Sequence, residues 1–261
     1  MLATTTAAAL AHRARLLARY DALWDAAAPE VRAGRAALDP WAARQGEDRR
    51  RGVTLLARLD RRAPAGGAPT VADALGAFCD ELRVLEPAAY YQPRADLHLT
   101  VLAPFTATAD CAPYLAHLDA YRAAAAEAVE GVAPFAVDLV GVTLSPAAVL
   151  AQGYPRDGAL EQVRARFRDA LAARGLGDAL DRRYRLETAH VTLVRFPAAL
   201  DDPARFVGAL AAARARPFGT AAVAALELVV GNWYHAAAYA RPVATYALAG
   251  DPRDGGPRPN A

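Results

Sequence analysis

The same order of secondary-structure signals occurs in both halves of the chain, and this repetition constrains the fold more than any other feature. In the first half, residues 53–59 have the length and composition of a strand. The apolar positions Val71, Leu75, Phe78, Leu82 and Leu85 mark a helix capped by Thr70 and stopped by Pro87. Residues 97–102 then read as strand, 113–129 as helix, and 135–144 as a strand with Gly141 inside it. In the second half, residues 149–152 form a short strand, 158–174 a helix ended by Gly175, and 184–194 a strand-like run. A further helix, capped by Asp201 or Asp202 ahead of Pro203, runs to about Arg214. Residues 223–230 and 239–248 finish the chain as strands around a hairpin at 231–235. Two successive strand-helix-strand-helix-strand units, plus one strand, imply two similar lobes.

Residues 6–36 precede this repeat as a helix whose Leu10, Leu16, Leu17, Tyr20, Leu23 and Trp24 fall on a 3.6-residue stripe. The expected organisation is a helical extension over 1–48, a bilobal domain over 49–249 and a Gly/Pro-rich disordered tail over 250–261, with residues 63–69 as a loop.

Composition narrows the chemistry. With 54% hydrophobic residues in 261, there is ample apolar surface for a core. The 30 basic and 28 acidic residues nearly cancel, which excludes a nucleic-acid-coating tail or a basic membrane stripe. All 30 basic residues are Arg, so a Walker phosphate loop, a Schiff-base lysine and a lysine base are excluded. The one serine, Ser145, precedes Pro146 and lacks the G-x-S-x-G surround of a hydrolase nucleophile. Cys79 and Cys111 lack zinc or redox spacing and are expected to be reduced thiols. No secretion signal and no membrane span is expected, and the protein is read as cytoplasmic. The Ala, Arg, Gly and Pro bias suggests a GC-rich coding sequence, so most arginines are read as solvated helix faces.

Of the five histidines, two stand in matching surroundings: Leu97-His98-Leu99-Thr100-Val101 and Ala189-His190-Val191-Thr192-Leu193. Strand alternation puts His98 and Thr100 on one face, and His190 and Thr192 likewise, while the apolar neighbours enter the core. A single such run is what any half-exposed strand with a polar wet face looks like. Two copies at matching places in a repeat point to a shared site.

These residues resemble the two His-h-Thr-h motifs, h being apolar, of the 2H phosphoesterases, a family that includes RNA 2',3'-cyclic phosphodiesterases and 2'-5' RNA ligase-like proteins. The matching residues are His98-Leu99-Thr100-Val101 and His190-Val191-Thr192-Leu193, and the resemblance covers Arg51 to about Ala249. It implies an α+β fold of two pseudo-symmetric lobes around a central cleft, each an antiparallel sheet with helices on its outer face. It also implies that His98 and His190 face each other across the scissile phosphodiester of a nucleotide or RNA end, as base and acid in an order left open. Neutral and protonated imidazole supply both functions near neutral pH without metal or cofactor. Thr100 and Thr192 would donate hydrogen bonds to the nonbridging oxygens. Arg195 stands where many members carry Arg, but it has the parity of Val191 and Leu193. On a regular strand it points away from His190, and only a bulge or strand end brings it to phosphate.

Tyr90 and Tyr91, or Trp233, Tyr234 and His235, offer base stacking, with ordinary packing as the competing role. His12 and His117 are expected to face solvent. Two other functions compete: a non-catalytic binder of RNA ends or nucleotides, and a metal site joining His98 and His190 to Glu187 or Asp96. A monomer is expected.

Overall fold

A computed structural model describes residues 2–59, 69–177 and 187–249. Most of the expected 63–69 loop, the first part of the 184–194 strand and the 250–261 tail lie outside the described residues. The strands are β1 (Arg51–Arg58), β2 (Tyr90–Tyr91), β3 (His98–Thr108), β4 (Phe135–Ser145), β5 (Ala148–Pro155), β6 (Val191–Arg195), β7 (Pro217–Val223), β8 (Ala225–Gly231) and β9 (Arg241–Ala247). They form one sheet in the order β7-β4-β5-β6-β3-β1-β8-β9, with β2 added on β6. Every pairing is antiparallel.

The expected α+β architecture of two related lobes is present, centred on the seam between β3 and β6. The lobes are not the two halves of the sequence, however. β4 follows the first motif strand but pairs with β5 and β7 of the other lobe, while β8 and β9 return to complete the sheet beside β1. β7, which the sequence does not announce, carries Gly219 at φ +111 in a run most of whose positions are exposed.

The helices are α1 (Leu2–Arg32), α2 (Val71–Leu85), α3 (Ala112–Leu115), α4 (Leu118–Val129), α5 (Ala159–Ala173) and α6 (Pro203–Ala212). Thr70 caps α2 in a reciprocal box, its hydroxyl accepting from Asp73 N at 3.0 Å and the Asp73 carboxylate from Thr70 N at 3.1 Å. The expected 113–129 helix is broken at residues 116–117 into α3 and α4. α2 and α6 pack together, with α2 against β7, while α4 packs on α5 and β9. Among the described residues no helix is long and apolar enough to cross a membrane.

α1 lies across β4 and β5, and β5 is buried at every position. Its seat differs from the expected stripe. Leu10 and Leu17 are 63% and 47% exposed, and the buried positions are Leu16, Tyr20, Ala27, Ala28 and Val31. Small alanines let the helix approach the sheet closely, where counting only large apolar residues rotates the stripe outward. The Tyr20 hydroxyl donates to Gly153 O at 3.1 Å and accepts from Gly153 N and Ala189 N at 3.1 and 3.2 Å. Asp21 pairs with Arg214, whose guanidinium lies over the Trp24 ring.

Gly153 is required by this close packing, since a Cβ there would sit 1.8 Å from Ala189 O. Gly153→Ala is expected to cost about 2–3 kcal/mol through overpacking, seen as a lower urea midpoint with unchanged m. An unchanged midpoint would contradict the contact.

Candidate active site

β3 and β6 meet at one ladder pair, Leu99 with Val191. Both side chains are buried, 1% and 0% exposed, so the residues flanking them face the opposite side of the sheet. Extending this antiparallel register by one residue each way sets His98 beside Thr192 and Thr100 beside His190, with directly opposed Cβ atoms about 4.5–5.5 Å apart. The two motifs therefore interlock on one face. All four half-buried side chains line a single cleft of about 660 Å³.

Arg195 also lines this cleft, against simple strand parity. Along β5, Val149 pairs with Val194 and Leu150 with Thr192, leaving Leu193 as the extra residue of a bulge on β6. One inserted residue inverts the alternation and brings Arg195 to the face of Thr192. Its guanidinium lies 5.8 Å from the Trp233 ring and 5.5 Å from that of Tyr234, and 3.8 Å from Asp39 Oδ2. Burial pulls this guanidinium below its ordinary pKa, and the Asp39 charge opposes that shift.

The histidines are held differently. His98 Nδ1 lies 2.8 Å from the Asp96 carbonyl. A carbonyl only accepts, so Nδ1 carries the proton and the neutral ring keeps its lone pair on Nε2. His190 Nδ1 lies 2.7 Å from Thr188 Oγ1, and a hydroxyl permits either direction. Burial lowers both imidazoles to a pKa of about 4, helped at His98 by Arg58 and Arg195 and at His190 by Arg164, His98 and Arg195. His235, at φ 51 in the late turn, sets its ring edge-on to His98 at 4.9 Å between centroids.

A family model described as the 2'-5' RNA ligase superfamily matches residues 71–232, more than half of the chain. The chain belongs to the 2'-5' RNA ligase superfamily. Its fold is also that of a solved structure, TT0787 of Thermus thermophilus, at 18% identity and TM-score 0.52 over 77% of this chain and 99% of that one. E. coli LigT complexed with 3'-AMP is similar at 16% identity and TM-score 0.48, covering 76% of this chain and 98% of LigT. No protein of curated function matches.

The superfamily segment holds both motifs and Arg195, and excludes α1, β1, β9 and residues 233–235. Gly52 and Thr54 of β1 and residues 233–235 nevertheless line the cleft. Trp233, Tyr234 and His235 line it, whereas Tyr90 and Tyr91 do not. Tyr91 is buried with its hydroxyl on Glu86 O, and Tyr90 packs behind Tyr234 at 5.7 Å. Asp39 of the extension accepts from the Tyr234 hydroxyl at 2.8 Å and is tied to the end of β6 by its backbone N–H on Phe196 O. Gln45 accepts from Asn232 at 3.1 Å. The extension thus supports the residues that hold Arg195.

A residue the sequence reading discounted joins the two motifs of this superfamily member. Arg164, on α5 and only 2% exposed, donates from Nε to Val101 O at 2.9 Å and from Nη2 to Thr100 O and Thr188 O at 2.9 and 2.8 Å. It satisfies strand carbonyls at a seam where the ladder has one pair. Its signal was available: position 164 falls on the buried helix face with Leu160, Val163, Phe167 and Leu171.

The carboxylates weighed for a metal lie elsewhere. Asp96 Oδ1 accepts from Ala237 N, and Glu187 borders a different cavity. Among the described residues no group of three or more His, Cys, Asp and Glu side chains is arranged to hold a metal ion. His117 is exposed as expected, but His12 is half-buried, with Nε2 3.4 Å from Glu161 of α5 across a shared cavity.

Proposed function

We propose that this chain is a metal-independent phosphoesterase that hydrolyses, or reversibly ligates, a cyclic or 2'-linked phosphodiester at a nucleotide or RNA end. The observation that supports this most is the seam, where two imidazoles, two hydroxyls and the Arg195 guanidinium share one face of a cleft. Residues 49–249 are the catalytic unit, with 1–48 docked onto it, and both motifs come from one chain, so a monomer suffices.

In the hydrolytic direction His98 is the base, because its neutral tautomer presents the Nε2 lone pair. Water gives its proton to Nε2 as its oxygen bonds phosphorus. The phosphorus–oxygen bond to the ribose breaks, and that oxygen takes a proton from His190. One water is thereby added across one ester bond. Thr100 and Thr192 donate to the nonbridging oxygens, Arg195 balances the growing charge, and Trp233, 37% exposed at the rim, stacks on the base.

His190 must be protonated to act as acid, although its surroundings favour the neutral ring. The anionic phosphodiester supplies the opposing field when it enters.

The test is turnover of a panel of nucleoside 2',3'-cyclic phosphates, 2'-5'-linked dinucleotides and RNA ends after exhaustive chelation. Full activity without metal is the expected outcome. Activity lost with EDTA and restored by a divalent ion would sink the two-imidazole mechanism, while tight binding with no turnover anywhere would favour a non-catalytic binder.

A further inference from the structure

Resting on that reading, we propose that the cavity between α1 and α5 is a second anion site, which takes an internal phosphate of an RNA strand whose end lies in the cleft. The cavity measures about 310 Å³ and is bordered by Arg15 and Arg19 of α1 and by Arg164 and Arg168 of α5. Among the described residues, the carboxylates on its wall are Glu161, which faces His12 and whose two oxygens are buried without a hydrogen-bond partner, and Glu187 at the exposed rim; four guanidinium groups stand against these two.

Three observations point to an anion rather than to a solvated charge cluster. Arg164 is 2% exposed and commits Nε and Nη2 to carbonyls, yet its Nη1 is buried with no hydrogen-bond partner. Buried polar groups are almost always satisfied, and a guanidinium N–H is best satisfied by an anionic oxygen. Desolvation also pulls this guanidinium down to a pKa of about 10, a shift that the nearby Glu161 charge opposes without cancelling. Finally, Arg168 borders both this cavity and the catalytic cleft, so a strand leaving the cleft along Arg168 arrives here. Guanidinium forks suit phosphate oxygens. The α1 wall lies outside the superfamily segment, so the docked extension supplies half of the site.

The experiment uses the full chain with three probes: a nucleoside 2',3'-cyclic phosphate, a fluorescent pentaribonucleotide ending in the same group, and inorganic phosphate. The variant is Arg15→Ala/Arg19→Ala, at exposed positions of α1 that do not line the catalytic cleft, with its fold checked by melting. Wild-type kcat/KM should favour the strand over the mononucleotide by about tenfold, the size of a charge-assisted contact. The variant should bring that ratio close to one without changing mononucleotide turnover. Its strand affinity should also lose salt dependence, by about 0.7 in the log–log slope for one phosphate contact.

A variant that keeps the wild-type ratio and slope overturns the site. If inorganic phosphate binding weakens in the variant while wild-type protein shows no preference for the strand, the cavity holds a free anion and the strand assignment is overturned. If neither cyclic phosphate is turned over, the reading of the cleft fails separately. Anisotropy of a strand ending in a 3'-phosphate then decides the cavity: a weaker Kd in the variant supports it, and an unchanged Kd overturns it.

Discussion

Alanine in place of either His98 or His190 is expected to lower kcat by about three orders of magnitude, within the roughly 10²–10⁴ that a positioned acid or base contributes. The double substitution should lower it little further, because a half-equipped pair has already lost the coupled proton transfer. Single-turnover rates of the three variants make the comparison. Losses that multiply, or near-full turnover without His98, would show that the two imidazoles do not act as a unit.

The same pair sets the pH dependence. In the free protein both imidazoles titrate near 4, pushed down first by burial and then by neighbouring guanidiniums. The kcat/KM profile reports the free protein, so its bell should centre on the acid side of the ordinary imidazole value of about 6.5. The bound phosphodiester is negative and favours imidazolium, so the kcat profile should lie at higher pH, and its apparent pKa values belong to the pair. Stability follows with a definite sign. The unfolded chain binds these protons first, so stability should be full above about 6.5 and decline as the pH falls toward 4.

The second large effect is expected at Arg164. Arg164→Met leaves the carbonyls of Thr100, Val101 and Thr188 without their donor. With each orphaned buried group costing about 1–3 kcal/mol, a loss of at least about 3 kcal/mol is expected. At roughly 2–4 °C per kcal/mol for a chain of this size, the Tm should fall by about 6–12 °C. Because those carbonyls belong to the two motif segments, kcat measured well below the lowered Tm should fall too, with KM changed much less. Arg164→Lys should restore only part of either, since an ammonium cannot span acceptors on both segments as a planar fork does. Wild-type Tm and kcat in the Met variant would remove Arg164 as the brace of the site.

What was legible in the sequence depended on whether the signal was local. His98, Thr100, His190 and Thr192 could be found because alternation over five residues fixes which face each takes. The seat of Arg195 could not, because its direction depends on a bulge at Leu193 that exists only in the pairing of β6 with β5. Arg164 was visible as a charged residue on an apolar helix face, but became lost among arginines discounted as compositional. Asp39 and Gln45 left no local trace, since their partners Tyr234 and Asn232 are distant in sequence. The repeat correctly implied two lobes, yet which strands pair into which lobe is a property of the sheet, and β4 crosses over.

That crossing bears on how the chain acquires its structure. β1, made early, gains its second neighbour only when β8 is present, and β5 in turn needs β4, which belongs to the preceding unit. Neither half of the polypeptide contains a complete sheet, so a scission in the turn between β4 and β5 would yield two fragments and no lobe. Loop closure over such separations must precede the contacts that reward it, which favours slow folding in a single late step. A nascent chain therefore carries β1 and β3 with an exposed edge until its final strands emerge, and the face that holds both motifs is the last region to gain its support.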